Sequence, residues 1–243
     1  MANNWFQFRE FLIRQDRCAM KVGTDGVILG AWADPGSGSL ALDIGTGTGL
    51  LALMLAQRFP GLSIEAIEID GEAAAQATEN VAESRFAGRI RVHHTGFAEY
   101  LQQEQRFDLI ITNPPYFPEK VLSPDPQRVI ARHSGSLGPE LLFGGSAELL
   151  TDRGSLALII PAGNENTILA IARDSGLYPN RRMAVLPKPG KPARRVCLQF
   201  GRTEGLYENR ELIIETDGRM CYSPAFLALT AAFYPPREER SAR

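Results

Sequence analysis

The tetrapeptide Asn113-Pro114-Pro115-Tyr116 contains the residue types that most directly suggest chemistry. It follows an apolar run over residues 107–112, which predicts a buried strand that ends at Asn113. Each proline fixes φ and lacks an N–H, so the carbonyls of Asn113 and Pro114 are held outward, and the Asn113 side chain adds another acceptor. Two acceptors around an exocyclic amine would draw its lone pair out of conjugation, and Tyr116 would stack on the ring. The tetrapeptide therefore predicts a site for a flat substrate that carries an amino group.

A glycine-rich segment, Asp-Ile-Gly-Thr-Gly-Thr-Gly over residues 43–49, predicts a second site. Glycines allow a tight turn and a close approach of a ligand to bare backbone, so Gly45 and Gly47 are candidate contacts of a nucleotide. Glu68 follows Gly49 at the end of the next predicted strand, where a carboxylate accepts hydrogen bonds from ribose hydroxyls. The same spacing also fits the dinucleotide fingerprint, so this segment alone leaves both kinds of cofactor open.

Two features favour S-adenosylmethionine over NAD as the cofactor. Asp43 lies two residues before the first glycine, Gly45, where it can receive an ammonium group but would oppose a pyrophosphate. Asn113 follows the fourth predicted strand, and therefore lies at the same carboxyl edge of a parallel sheet. Residues 95–97, Thr-Gly-Phe, offer no Asp for the adenine amino group, so Phe97 is the candidate packing surface for the adenine.

Length and composition favour one α/β domain. The chain has 243 residues, of which 44% are hydrophobic and 22% are charged, and a chain of this length buries roughly 70–75% of its unfolded surface. No run of about 18 apolar residues could span a bilayer, and the first residues lack the pattern of a secretory signal, so a cytoplasmic protein is expected. Three widely spaced cysteines and three histidines predict neither disulfides nor a metal site.

Charge is segregated along the chain, although the formal net charge is only −2. Residues 61–84 contain acids but no Lys or Arg, and residues 177–203 contain cations but no acid. A basic segment of this kind is often a solvated face, but it suits phosphate contacts equally well. The candidate RNA-binding residues are Arg181, Arg182, Lys188, Lys191, Arg194 and Arg195.

Alternating apolar runs and helix-period stretches predict a Rossmann-like α/β fold: a seven-stranded, mostly parallel sheet with helices on both faces and one antiparallel strand. The predicted strands are residues 40–44, 64–69, 90–94, 107–112, 156–160, 182–186 and 195–200, the last two as an antiparallel pair. The predicted helices are residues 50–58, 72–84, 98–103, 137–150 and 167–175, with Asp70 or Gly71 capping the second.

The whole chain, residues 1–243, is predicted to form a single domain and a monomer. Its predicted parts are an N-terminal extension, a core, a C-terminal addition and a charged tail, at residues 1–38, 39–201, 202–235 and 236–243. The longest predicted connection, residues 116–136, follows the tetrapeptide directly. Loops of this length in compact domains are usually functional, so it is a candidate lid over the substrate.

The chain resembles the class I adenine-N6 methyltransferases, and more closely the bacterial valine-tRNA adenine-37 N6-methyltransferases. Besides the two motifs above, residues 15–26 look like that family's N-terminal signature, which helps to close over the methionine end of the cofactor. Residues 188–195 and 222–235 are also similar to it, and the likeness covers roughly residues 5–235. The resemblance implies N6-methylation of an adenine beside the anticodon of a tRNA, with S-adenosylmethionine as the donor.

The resemblance also implies residue roles. Asn113, Pro114 and Tyr116 are matched to the amine and base site. The expected cofactor contacts are Lys21, Thr24, Asp43, Gly45, Gly47, Glu68, Phe97 and Asn113. Three alternatives stay open: a glutamine side chain of a protein such as a release factor, an adenine in DNA, and RNA binding without catalysis. The short segment before the first core strand disfavours a protein substrate. The lack of a separate target-recognition domain disfavours DNA, and the two intact motifs disfavour RNA binding without catalysis.

Overall fold

In the computed structural model, which describes residues 3–114, 137–205 and 208–235, an eight-stranded sheet carries helices on both faces and a two-stranded hairpin lies beside it. The strands are β1 Trp5–Gln7, β2 Leu12–Arg14, β3 Leu40–Ile44, β4 Ser63–Glu68, β5 Ile90–His94, β6 Phe107–Thr112, β7 Leu150–Pro161, β8 Tyr178–Leu186, β9 Arg195–Gly201 and β10 Glu208–Ile213. The helices are α1 Thr24–Trp32, α2 Leu50–Arg58, α3 Gly71–Ala82, α4 Phe97–Tyr100, α5 Pro139–Leu149, α6 Glu165–Asp174 and α7 Pro224–Thr230.

Strand order places β3 at the switch point of the sheet. The order is β10-β8-β9-β7-β6-β3-β4-β5. Neighbouring strands are parallel except at β9, which runs antiparallel to both β7 and β8, so the predicted antiparallel pair is confirmed. The chain continues from β3 to β4 on one side and reaches β6 on the other, and α/β sheets bind ligands at the carboxyl ends of strands at such a point.

Side chains of the central strands alternate between two hydrophobic cores. In β6, Leu109 and Ile111 belong to the core that contains α1 and α2, whereas Ile110 belongs to the core that contains α5 and α6. Burial on both faces explains why these strands have continuous apolar sequences. Phe8 and Phe233, from the predicted extension and addition, join the first core, so both of these segments pack onto the sheet.

The predicted strand count was wrong. The sheet has eight strands within the described residues because β10 adds in parallel to the edge strand β8. The polar sequence of residues 208–211 obscured β10, since an edge strand needs no continuous apolar run. The segment before β3 also contains α1, which was not predicted. Seven of the nine residues of α1 are buried, so its sequence lacks the one-sided apolar pattern of a surface helix.

The described residues contain no helix that is long and apolar enough to cross a membrane. They also contain no cluster of three or more His, Cys, Asp or Glu residues arranged to hold a metal ion. The cysteines are all free, and Cys18 and Cys197 are buried. Burial raises the pKa of the Cys18 thiol to about 11, which leaves it a protonated, small apolar side chain at neutral pH.

Candidate active site

The glycine loop, residues 45–49, joins β3 to α2 and exposes bare backbone at the switch point. Gly45 and Gly47 have φ values of +68° and +57°, which L side chains rarely adopt. A Cβ atom added at either position would meet no atom of the described residues within 4 Å. The glycines form the tight turn that the sequence predicted, and their contact with a ligand stays a prediction.

Glu68 holds this loop in place from the end of β4. Its Oε2 accepts a hydrogen bond from the Gly47 N–H at 2.8 Å, and its Oε1 accepts one from the Asp70 N–H at 3.0 Å. Two backbone donors thus fix the orientation of the carboxylate. Each carboxylate oxygen has a second lone-pair site, and these remaining sites are the ones that ribose hydroxyls would use.

Asp43 is fully buried beneath the loop and ties it to α2. Its Oδ2 accepts hydrogen bonds from Thr46 Oγ1 at 2.5 Å and from the Ala52 N–H at 3.2 Å. Its Oδ1 is buried and has no hydrogen-bond partner among the described residues. Burial raises the pKa of Asp43 to about 7; the two hydrogen bonds oppose this effect and the charge of Glu68 adds to it. Oδ1 is therefore the atom of this carboxyl group that is left for a ligand.

Asn113 and Pro114 lie immediately after β6, beside the end of β3. The Thr112 hydroxyl donates a hydrogen bond to the Ile44 carbonyl at 2.9 Å, which ties the two strand ends together. Asn113 is half-buried and Pro114 is buried. Asn113 and Pro114 therefore lie at the same edge of the sheet as the glycine loop, as predicted. Tyr116 and the predicted lid, residues 116–136, lie outside the described residues.

Helix α1 forms a wall of this site. A Cβ atom at Gly26, in its first turn, would lie 3.0 Å from Leu50 Cδ2 and 3.9 Å from Asn113 Nδ2. Thr24 is the first residue of α1 and is exposed beside this contact. Lys21 is also exposed, and its Nζ donates to the Asn3 carbonyl at 3.4 Å. Cofactor contacts of Thr24 and Lys21 stay predictions.

Buried amide side chains of α3 form hydrogen bonds with the N-terminal segment and the glycine loop. These contacts were not predicted from the sequence. Asn80 exchanges two hydrogen bonds of 2.9 Å with the backbone of Arg14 and donates a third, also 2.9 Å, to the Thr48 carbonyl. Gln76, one turn earlier, accepts from the Arg17 N–H at 3.1 Å and donates to Asp16 at 2.7 Å. The available signal was the pair of amides four residues apart, on the alanine-rich face of an otherwise acidic helix.

An exposed apolar side chain lies near Glu68, but it is not the one that was predicted. Phe97 is only 6% exposed and belongs to the core that contains α5. Ile69 is 57% exposed directly after Glu68, and it lies next to Gly96, where a Cβ atom would be 3.4 Å from Ile69 Cδ1. The contact of Phe97 with adenine stays a prediction, and the exposure of Ile69 was not predicted from the sequence.

Several cations of the basic segment are engaged within the protein. Arg181 pairs with Glu208 at 3.2 Å, and Arg182 makes two hydrogen bonds to Glu165 at 2.5 and 2.8 Å. These ion pairs could not be predicted from the sequence, because the acids come from β10 and α6 rather than from the segment itself. These contacts give Arg181 and Arg182 structural roles, and their predicted contacts with RNA stay untested.

Three further cations of the basic segment lie in the turn between β8 and β9, residues 187–194, which we call the basic turn. Lys191 and Arg194 are exposed and Lys188 is half-buried, and none of the three has an ion pair among the described residues. Because β8 is parallel in direction to β6, its end and the basic turn lie at the same edge of the sheet as Asn113. Three strand spacings, roughly 14 Å, separate β8 from β6.

Comparison with known proteins gives a consistent family. Residues 31–163 match the model of the methyltransferase small domain. The tRNA1(Val) (adenine(37)-N6)-methyltransferase of Parabacteroides distasonis is 43% identical over 236 residues, which cover 96% of this chain and 99% of that protein. Proteins of the same name from Bacteroides thetaiotaomicron and Tolumonas auensis are 45% and 44% identical, and the matches cover 96% of this chain and 98% of each of them.

Solved structures share the fold. A predicted O-methyltransferase from Agrobacterium tumefaciens superimposes with a TM-score of 0.67 at 20% identity, covering 86% of this chain and 96% of that one. The ribosomal protein L11 methylase of Lactobacillus delbrueckii gives a TM-score of 0.52 at 20% identity, covering 74% and 77%. The fold is thus that of the class I methyltransferases, as predicted. The chain belongs to the tRNA1(Val) (adenine(37)-N6)-methyltransferase family.

Proposed function

We propose that this protein transfers a methyl group from S-adenosylmethionine to the exocyclic N6 of adenine 37 in a valine tRNA. The observation that carries the proposal is the position of Asn113 and Pro114, at the carboxyl end of β6 and beside the glycine loop. An amine-binding group next to a nucleotide-binding loop is the arrangement that methyl transfer to an amine requires. Family membership at 43–45% identity over nearly the whole chain supports tRNA as the substrate.

The residues present fit S-adenosylmethionine. The open face of Gly45 and Gly47 admits a ligand against the backbone, and the buried Oδ1 of Asp43 lacks a partner among the described residues. Glu68 would accept hydrogen bonds from ribose hydroxyls, and the exposed Ile69 would cover one side of the adenine. Bound S-adenosylmethionine supplies an electrophilic methyl group on a sulfonium. The chain itself contributes binding, orientation and exclusion of water.

Asn113 and Pro114 act by positioning the amine. The Asn113 side-chain oxygen and the Pro114 carbonyl accept the two N–H groups of the adenine, which turns the nitrogen lone pair away from the ring and toward the glycine-loop side. Holding two reactants in line removes much of the entropic barrier to their reaction. The predicted stacking of Tyr116 on the base belongs to the same site. A base in an anticodon loop is unpaired, so little energy is spent in exposing it.

The basic turn would contact the tRNA backbone beside this site. Phosphate contacts by Lys and Arg give affinity and orientation without reading sequence. Lys188, Lys191 and Arg194 are the cations of the basic segment that suit this role best, because Arg181, Arg182 and Arg195 are held by acids of the chain. The nucleotide is then specified at the amine site and by the shape of the loop that carries it.

The test is a methyl-transfer assay with labelled S-adenosylmethionine on unmodified valine tRNA, followed by mass spectrometry of the nucleosides. N6-methyladenosine is expected in this tRNA, and none in the same tRNA with guanine at position 37. DNA and total cell protein are assayed in parallel. Label in protein alone would replace the proposal with methylation of a glutamine side chain, and cofactor binding without any transfer would leave a non-catalytic RNA-binding protein.

A further inference from the structure

An ion pair joins the first turn of α1 to the start of β9. Arg195 Nε donates to Asp25 Oδ2 at 2.7 Å, and both side chains are about a quarter exposed, at 27% and 28%. The residues are 170 positions apart in sequence, so the pair connects the N-terminal segment to the far side of the sheet. Neither the proposed amine site nor the proposed phosphate contacts require this pair.

Each partner is connected to a different part of the proposed site. Asp25 is next to Gly26, where a Cβ atom would lie 3.9 Å from the Asn113 amide nitrogen. Arg195 directly follows the basic turn and is anchored in the sheet, where it pairs with Pro161 at the end of β7. The ion pair therefore links the start of α1, beside Asn113, to the start of β9, directly after the basic turn.

The two ends of α1 are held differently. At the C-terminal end of α1, Arg58 donates to the Gly30 and Ala33 carbonyls at 2.8 and 2.6 Å, and Arg181 lies over the Trp32 ring at 4.6 Å. At its start, the N-cap residue is Gly23, which has no side chain to make a capping hydrogen bond. An acid in the first turn also suits the positive end of the helix dipole. Asp25 thus holds the start of α1 to the sheet through its pair with Arg195.

We propose that Asp25 and Arg195 are positioning residues, which fix the first turn of α1 against Asn113 and thereby set the geometry of the adenine amine site. The inference rests on the proposed function. A displacement of about 1 Å at a reacting group lowers a rate by as much as about 100-fold. Loss of the pair is therefore expected to slow methyl transfer at saturating substrates and to leave binding of S-adenosylmethionine unchanged.

The test uses Asp25→Asn, Arg195→Gln and the double variant. Glu208→Gln is the matched control, because it breaks the similarly buried Arg181–Glu208 pair, which joins β8 to the start of β10, the two strands farthest from β6 on that side of the sheet. Single-turnover rates with saturating tRNA and donor, donor affinity by calorimetry and KM for tRNA are measured for each protein. Both single variants are expected to lose at least about tenfold in rate, the double variant to lose no more than the worse single, and the control to keep the wild-type rate.

Unchanged rates in Asp25→Asn and Arg195→Gln would overturn the proposal. So would an equal loss in Glu208→Gln, or a change confined to KM for tRNA, which would mean that Arg195 contacts RNA directly. A second readout is independent of activity: the side-chain amide signal of Asn113 in a ¹⁵N NMR spectrum, assigned from its absence in Asn113→Ala. It should shift in Asp25→Asn and in the milder variant Arg195→Lys but not in Glu208→Gln, and a constant signal contradicts the proposal even if wild-type protein methylates no tRNA.

Discussion

The glycine-loop side and the basic-turn side of the same sheet edge are built in opposite ways. On the first, Asp43 and Asn80 are buried, and Glu68 is fixed by two backbone N–H groups. On the second, the candidate contacts are long, charged side chains on a turn. Buried polar groups specify one geometry and are costly to break, whereas exposed cations act at longer range and are screened by salt. The small donor is thus expected to meet a preformed site, and the tRNA a flexible electrostatic surface.

The largest effect on donor binding is expected for Gly47→Ala. The new methyl group would occupy the open space above the loop, and φ of +57° adds strain of roughly 1–2 kcal/mol. Affinity for S-adenosylmethionine, measured by calorimetry, should fall by about 100-fold or more, which corresponds to about 2.7 kcal/mol. Gly36→Ala is the matched control, because Gly36 has φ of +60° and equally open space away from the site. Equal donor affinity in the two variants would show that the loop does not contact the donor.

Asn80→Leu is expected to have the largest effect on stability. It removes one buried and two part-buried hydrogen bonds between α3, the N-terminal segment and the glycine loop. The free energy of unfolding, from urea denaturation, should fall by about 3 kcal/mol, because backbone groups are left unsatisfied. Thr78→Ala, an exposed change on the same helix, should alter it by less than about 0.5 kcal/mol. If the unfolding free energy fell as little in Asn80→Leu as in this control, these hydrogen bonds would not hold the site in a preformed geometry.

The buried carboxyl of Asp43 predicts a pH dependence. Its pKa is raised from 3.8 to about 7, chiefly by burial. Between these two pH values the folded protein therefore keeps a proton on Asp43 that the unfolded chain has released. Stability of the ligand-free protein should therefore fall as pH rises from about 4 to about 7 and then level off. Relative to Asp43→Asn, the wild type should lose about 2–3 kcal/mol of unfolding free energy between pH 5 and pH 8. A difference that is independent of pH would contradict this environment for Asp43.

The smallest effect is expected on the basic-turn side. Replacing Lys188, Lys191 and Arg194 by Gln should raise KM for tRNA by about tenfold and leave donor affinity unchanged. The slope of the logarithm of the tRNA-binding constant against the logarithm of salt concentration should become less steep by about two to three. The matched control replaces three exposed arginines at the amino edge of the sheet, Arg91, Arg106 and Arg153. An equal effect of the two triple variants would mean that tRNA is held by overall charge and not by this turn.

The two sides also differ in how far the sequence predicts them. The apolar runs and glycines that form β3, β6 and the loop are local signals, and the structure has those elements where they were predicted. The basic segment looked uniform in sequence, but distant acids divide it into structural arginines and a basic turn. Partners such as Glu165 and Glu208 are brought close only by the fold, and no local pattern contains that information.

Polar residues in unexpected places account for the other differences. Strand β10 escaped prediction because its outer positions are polar, and the amides Gln76 and Asn80 were obscured by the acids around them. The exposed Ile69 resembles any strand-terminal apolar residue until its 57% exposure is known. In each case the role of the residue depends on its tertiary environment, which its type and its neighbours in sequence do not indicate.

The most direct test of the account is the rate of methyl transfer in Asn113→Ala, measured in single turnovers with saturating tRNA and S-adenosylmethionine. The substitution removes a side-chain acceptor for the adenine amine and leaves the glycine loop, Asp43 and Glu68 intact. The rate should fall by at least about 100-fold while affinity for S-adenosylmethionine stays within about twofold of wild type. A wild-type rate of transfer in Asn113→Ala would contradict the assignment of this strand end as the amine site.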